Sequence, residues 1–178
     1  PEVDKILPNE TRQLIQPVAK AETIKAKTPD SKKETTKDTK AETSSVEWNI
    51  AQISAPAVWD MGIDGAGTVI ASIDTGVQWD HPSLKTKYRG YDPANPDQPS
   101  HEFNWFDATA ANGAAPYDDQ GHGTHTIGTS VGSEPNGTNQ IGVAPGAKFI
   151  AVKAFTASGG TDADLLEAGE WVLAPKDA

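Results

Sequence analysis

The chain of 178 residues contains no cysteine, so neither a disulfide framework nor thiol redox chemistry can be built from it. It has no run of about 18 apolar residues, and so offers no membrane-spanning helix. Residues 1–45 lack aromatic side chains altogether; every Trp, Tyr and Phe lies from Trp48 onward, which leaves the first stretch little from which to build a core. Basic residues are scarce where the aromatics are: residues 46–178 hold 6 Lys or Arg against 17 Asp or Glu, whereas residues 1–45 hold 9 against 8. An acidic globular part lacks the basic footprint that nucleic acid requires, and its charge helps to keep the protein dispersed.

Three zones follow from these contrasts. Residues 2–16 carry mixed apolar residues, Val3, Ile6, Leu7, Leu14 and Ile15, and read as the closing strand of a preceding domain. From 21 to 45 the chain is Lys, Thr, Glu, Ser, Ala and Asp with a single Ile and a single Pro, too poor in apolar groups to offset the entropy of ordering, so a flexible linker is expected. A globular segment then begins at Val46. Within it, residues 54–59 suggest a short helix with Pro56 in its first turn. Residues 64–67 mark a turn, and residues 68–73 form an apolar, β-branched run expected to be a strand covered on both faces. Residues 91–119 read as loop, and 122–131 as a helix of small residues. After the turn at 145–147 comes a second buried strand at 148–155, then a turn at 158–160. A final amphipathic helix spans 164–173, with Leu165, Leu166, Ala168, Trp171 and Val172 inward and Thr161 and Asp164 spaced as a capping box. Strand, helix, strand, helix is the order of an α/β fold with parallel strands.

Two segments carry chemistry. Asp74 closes the first apolar strand and is followed by Thr75-Gly76, the place where open α/β sheets gather functional groups. His122 stands between Gly121 and Gly123, where the chain can turn tightly into a helix. A carboxylate that orients an imidazole, and an imidazole that takes and returns a proton, are two thirds of a Ser-His-Asp triad. Asp74 could equally end its strand by capping a turn. His122 and His125, three apart on a helix, could instead ligate a metal, although no further ligand is spaced nearby. His81 and His101 sit in loop-like surroundings and read as surface residues. Ser130, Ser133 and Ser158 stand in no context that marks a nucleophile.

Asp74-Thr75-Gly76-Val77 with Asp80-His81-Pro82, then Gly121-His122-Gly123-Thr124-His125, then Gly142-Val143-Ala144-Pro145-Gly146-Ala147, resemble three ordered signature blocks of the subtilisin-like serine proteases, the subtilases. Gln52-Ile53-Ser54-Ala55-Pro56-Ala57 precedes them, and the resemblance covers residues 46–174. It implies an α/β, three-layer fold with a mainly parallel sheet, of which this chain supplies the N-terminal half. It further implies a secreted serine endopeptidase acting on polypeptides through an acyl-enzyme, with Asp74 and His122 as the triad Asp and His.

By the same resemblance, Ser158, Gly159 and Gly160 would pair with an extended substrate, and Phe155 would wall an apolar pocket or simply lie in the core. Residues 1–20 would end an inhibitory prodomain, 21–45 would hold the maturation region, and 46–178 would open the catalytic domain. The nucleophile and the oxyanion Asn would lie in a C-terminal remainder, so the chain alone is expected to be inactive, its sheet exposing an edge and an apolar face. No cofactor is needed for the chemistry. Structural calcium, which many subtilases bind, could be held by the loop at 133–140 or near Asp107, Asp118 and Asp119. Ser83, however, stands where the family's best-known calcium site has Asp. The alternative from another class is a non-catalytic, subtilase-derived module that offers residues 155–160 to a peptide.

Overall fold

The computed structural model describes residues 7–15, 45–137 and 139–176. In chain order the elements are β1 (Thr11–Arg12), β2 (Ser45–Val46), α1 (Trp48–Gln52), α2 (Ala55–Trp59), β3 (Val69–Asp74), β4 (Trp105–Asp107), α3 (His122–Val131), β5 (Asn139–Gln140), β6 (Lys148–Lys153), β7 (Gly160–Thr161) and α4 (Asp162–Leu173). The linker expected at 21–45 lies outside the described residues except for Ser45.

The main sheet is parallel, in the order β3-β6-β4. Its middle strand, β6, is buried on both faces, and alternation sends successive side chains to opposite layers. Phe149 and Ala151 join Ile127 and Val131 of α3 in one core cluster; Ile150 and Val152 join Ala168 and Trp171 of α4 in the other. Helix, sheet and helix therefore form three layers, as an α/β arrangement requires.

Strand β3 departs from the expectation of two covered faces. Ile70 packs on the α3 side, but Val69 and Ile73 on the opposite face are 46% and 37% exposed. The strand pairs only with β6 among the described residues, and the α4-side cluster ends short of it. A second difference is β4, a strand inside the stretch read as loop. Only Trp105 and Phe106 supply apolar surface there, and the surrounding Pro, Asp and Gly mask them. The strand exists because Phe106 stacks on Trp171, with ring centroids 5.8 Å apart, while its backbone pairs with β6. His101, read as a surface residue, is half-buried: its ring lies edge-on to Trp79 and its Nδ1 is 3.1 Å from the Tyr88 hydroxyl. Burial pushes its pKa below the ordinary histidine value.

Helix α4 begins two residues earlier than its periodicity suggests, and it is capped as expected. The Thr161 hydroxyl accepts from the Asp164 amide at 3.2 Å, and the Thr161 amide donates to the Asp164 carboxylate at 2.8 Å. Asn9, far away in sequence, supplies a further partner: its side-chain oxygen accepts from the Ala163 amide at 2.9 Å. Leu165, Ala168, Trp171 and Val172 face inward, but Leu166 is 70% exposed. It sits about 100° around the helix from Leu165, off the buried stripe.

Thr161→Ala should lower stability by about 1 kcal/mol through loss of the cap, and Thr161→Ser should restore most of it. Urea denaturation of the full-length protein measures both, and equal stability of Thr161→Ala and wild type would show that the box is energetically idle.

Candidate active site

The end of β3 and the first turn of α3 meet at a contact too close for side chains. A Cβ on Gly123 would lie 2.1 Å from the Gly76 carbonyl oxygen and 3.1 Å from the Asp74 Cβ. Only glycine lets the helix start there, and the Gly123 amide uses the proximity to donate to the Thr75 hydroxyl at 2.9 Å. Side chains at 70, 72 and 74 share one face of β3, the face that α3 covers, so Asp74 points at the helix.

Asp74 and His122, the two residues singled out in the sequence, are brought together. His122 Nδ1 is 2.8 Å from Asp74 Oδ1 and 3.0 Å from Oδ2. A carboxylate can only accept, so Nδ1 carries the proton, and in the neutral ring Nε2 is left with its lone pair. Among the described residues Nε2 has no hydrogen-bond partner. The carboxylate is held by two more donors, the Thr75 amide at 2.7 Å and the Thr126 hydroxyl at 3.1 Å. Asp74 is 7% exposed, while the His122 side chain keeps 25% of its surface open. The pair is thus an oriented imidazole with a basic nitrogen at the surface.

Behind it stands a support that sequence reading missed. Asp118 accepts from the Thr75 hydroxyl at 2.8 Å, the Gly121 amide at 2.9 Å, and the Thr124 amide and hydroxyl at 2.9 and 2.6 Å. Burial alone would push its carboxyl up, but these donors outweigh it and hold the pKa below the ordinary carboxylate value. Lys153, 1% exposed, donates to the carbonyls of Thr75 and Phe155 and to Asp119 Oδ1, at 2.7, 3.0 and 2.7 Å. The Lys153 hydrogen bond holds the Asp119 carboxyl low. A lysine inside the apolar run Phe149-Ile150-Ala151-Val152 was the available signal, since a buried charge must be partnered.

The carboxylates considered for an ion are engaged within the chain. Asp107 accepts from the Thr109 amide and hydroxyl, the Gly113 amide and the Tyr117 hydroxyl, at 2.6 to 3.0 Å. Among the described residues no three His, Cys, Asp or Glu are grouped to hold a metal. His125 does not join His122: it borders a separate cavity of about 810 Å³ with Trp48, His81 and Ile141.

The residues expected to receive a peptide lie beside the pair and are themselves covered by the chain. Residues 156–159 form a tight turn in which Thr156 and Gly159 exchange backbone hydrogen bonds at 3.1 and 3.0 Å. Antiparallel to the strand that follows, β1 pairs Thr11 with Thr161 and Arg12 with Gly160. Gln13 donates its side-chain amide to the Ser158 carbonyl at 2.8 Å. A Cβ on Gly159 would lie 2.4 Å from the Arg12 carbonyl oxygen, so a glycine is needed for the strand to approach. Gln13 and Leu14 then reach a crevice of about 70 Å³ bordered by Thr75 and His122. Phe155 is buried in the α4-side cluster, against which Leu14 packs.

Residues 65–178 match the sequence model of the Subtilase family. The whole chain is 64% identical to bacillopeptidase F of Bacillus subtilis (strain 168), of which it spans 12%. Over 128 residues, 71% of the chain, it is 35% identical to subtilisin Savinase of Lederbergia lenta, covering 40% of that protein. Over 139 residues, 67% of the chain, it is 32% identical to an extracellular basic protease of Dichelobacter nodosus, covering 22% of it.

Gly123→Ala should push α3 away from β3 and break the Asp74–His122 bond, seen as loss of the downfield Nδ1 proton resonance of His122; a retained resonance would contradict the contact described. Asp118 sets an acid limit. The stability it contributes is complete above the ordinary carboxylate value of 3.8 and is lost as pH falls through its lower folded value. The stability gap between wild type and Asp118→Asn, followed by thermal denaturation, should therefore narrow as pH drops from about 5 to about 3.

Proposed function

The chain belongs to the subtilase family, and on that basis we propose that it is part of a secreted serine endopeptidase in which Asp74 orients His122 and His122 activates a serine. The observation that carries this reading is the Asp74–His122 hydrogen bond, with Nε2 left as the basic nitrogen. In the reaction Nε2 takes the hydroxyl proton as the serine oxygen attacks the scissile carbonyl, and returns it to the leaving amine. Asp74 stabilises the imidazolium formed between those steps, and water then hydrolyses the acyl-enzyme.

The serine and the oxyanion donor are taken to lie C-terminal to Ala178, so that the 178 residues alone bind and orient but do not cleave. Polypeptide substrate would add as a strand to 158–161, where main-chain hydrogen bonds supply affinity and alternate side chains supply specificity. Residues 7–15 occupy that edge, which supports reading 1–20 as the end of an inhibitory prodomain and 21–45 as the maturation region. An extracellular location accords with a relative named as an extracellular protease. Structural calcium would stabilise the fold and take no part in the chemistry.

A fluorophosphonate probe tests the proposal on the chain with its natural C-terminal continuation. The long form should be labelled, the 178-residue chain should not, and His122→Ala should lower peptide hydrolysis by about 10⁴- to 10⁶-fold. Unlabelled long form that still binds peptide at 158–161 would replace the protease with the non-catalytic peptide-binding module.

A further inference from the structure

One buried carboxylate takes no part in the reaction above. Asp107 is 3% exposed and closes β4, and the ladders align it with Lys153 of β6 and, through Lys153, with Asp74 of β3. In parallel strands residues in register share a face, so the three side chains form one row on the α3 side of the sheet. The hydrogen bonds of Asp107 go neither to Asp74 nor to His122 but to the segment that follows it. Oδ1 accepts from the Thr109 amide at 2.9 Å and the Thr109 hydroxyl at 2.6 Å; Oδ2 accepts from the Gly113 amide at 2.8 Å and the Tyr117 hydroxyl at 3.0 Å. Four donors on two oxygens is a demand that a carboxylate meets and an amide does not: Asn would satisfy one pair and turn its own NH2 donors on the other. The turn is close enough that a Cβ on Gly113 would lie 2.7 Å from the Tyr117 ring and 3.2 Å from Asp107 Oδ2.

The loop so folded ends at the reactive pair. The Tyr117 carbonyl accepts from the Val77 amide at 3.1 Å, and a Cβ on Gly76 would lie 1.9 Å from that oxygen. The Tyr117 ring, edge-on to Trp105 with centroids 6.0 Å apart, has the Lys153 ammonium 4.8 Å from its centre. Trp105 in turn donates its indole N–H to the Gly113 carbonyl at 2.7 Å. Burial, and then the Asp107 carboxylate, push the Tyr117 hydroxyl pKa up, which keeps it a donor. Asp118, next in the chain, gathers Thr75, Gly121 and Thr124, and His122 follows four residues later.

We propose that Asp107 is a positioning residue for His122: by folding 109–117 around its carboxylate it sets where Tyr117 and Asp118 meet the end of β3, and so the place from which His122 acts. The consequence for catalysis rests on the protease reading above; the consequence for the His122 ring does not. A displacement of about 1 Å passed to a reacting group from a distant residue can cost about a hundredfold in rate. The peptide edge at 158–161 follows β6 and takes no hydrogen bond from 109–117, so binding is spared while the chemical step is slowed.

The test uses the chain with its natural C-terminal continuation and compares Asp107→Asn, Tyr117→Phe and a control for stability alone. The control is Val131→Ala, which deletes buried methyl groups at the far end of α3. On a fluorogenic peptide, Asp107→Asn should lower kcat by about tenfold to a hundredfold. Tyr117→Phe, which loses one of the four donors and keeps the ring, should lower it by about threefold, and KM should stay within about twofold of wild type in both. Val131→Ala should leave kcat unchanged at temperatures where it is folded. The Nδ1 proton resonance of His122 should shift or broaden in the two loop variants and not in Val131→Ala. An unchanged resonance in the folded loop variants, or a loss carried by KM with kcat intact, overturns the proposal; so does an equal loss in Val131→Ala, which would make stability the cause. Should Asp107→Asn fail to fold, Tyr117→Phe decides by the same readouts. A wild type that cuts no peptide sinks the protease reading, and the resonance then still decides whether Asp107 positions His122.

Discussion

The site depends on one close approach, the first turn of α3 against the end of β3. Gly123 stands where any side chain would strike the Gly76 carbonyl, and the distance so closed is what lets the Nδ1 of His122 reach the Asp74 carboxylate. Both partners are anchored at the contact by further hydrogen bonds. Asp74 ends a strand paired along its whole length with β6, and Thr75 is tied to Gly123, Asp118 and Lys153. An imidazole held in this way has its orientation set by folding, so using it in proton transfer would cost little further entropy.

A second layer of polar groups braces that contact. Asp118 gathers the turn that precedes α3, and Lys153 fastens the carbonyls of Thr75 and Phe155 from the end of β6. Asp118 is kept ionised by its donors against the cost of burial, and the buried Lys153 ammonium is met by three acceptors. The two strand ends, β3 and β6, are thus linked through side chains as well as through their ladder. The Asp74–His122 pair lies at one of them and the turn at 156–159 follows the other. Their relative position is set by this network more than by either loop.

Local pattern made much of this legible. Asp74 after an apolar run, His122 between glycines, and the Thr161–Asp164 cap are features of a few consecutive residues, and each stands where its spacing suggests. What the sequence concealed depends on partners distant along the chain. Strand β4 needs Trp171 and β6 to exist, Leu166 is exposed because it lies off the stripe of α4 that packs on the sheet, and His101 is half-buried beside Trp79. The subtilase blocks could mark Asp74 and His122 but not the Arg12–Asp162 ion pair, whose partners are 150 residues apart. Lys153 lay between these cases: an ammonium in a buried strand announces that partners exist, without saying which.

The pairing of β1 with β7 is short, two residues of ladder with one half-exposed ion pair. As a free peptide such a strand would bind weakly, because ordering it costs nearly as much as its contacts return. Covalent attachment alters the arithmetic: a segment joined to the rest of the chain meets the edge at a local concentration of millimolar order, whatever the concentration of the protein. The edge can therefore be filled by a ligand whose dissociation constant would be useless in solution. Cutting the chain anywhere between 15 and 45 converts that contact into an ordinary bimolecular one, so dilution alone, with no change in any bond or residue at the site, would empty it.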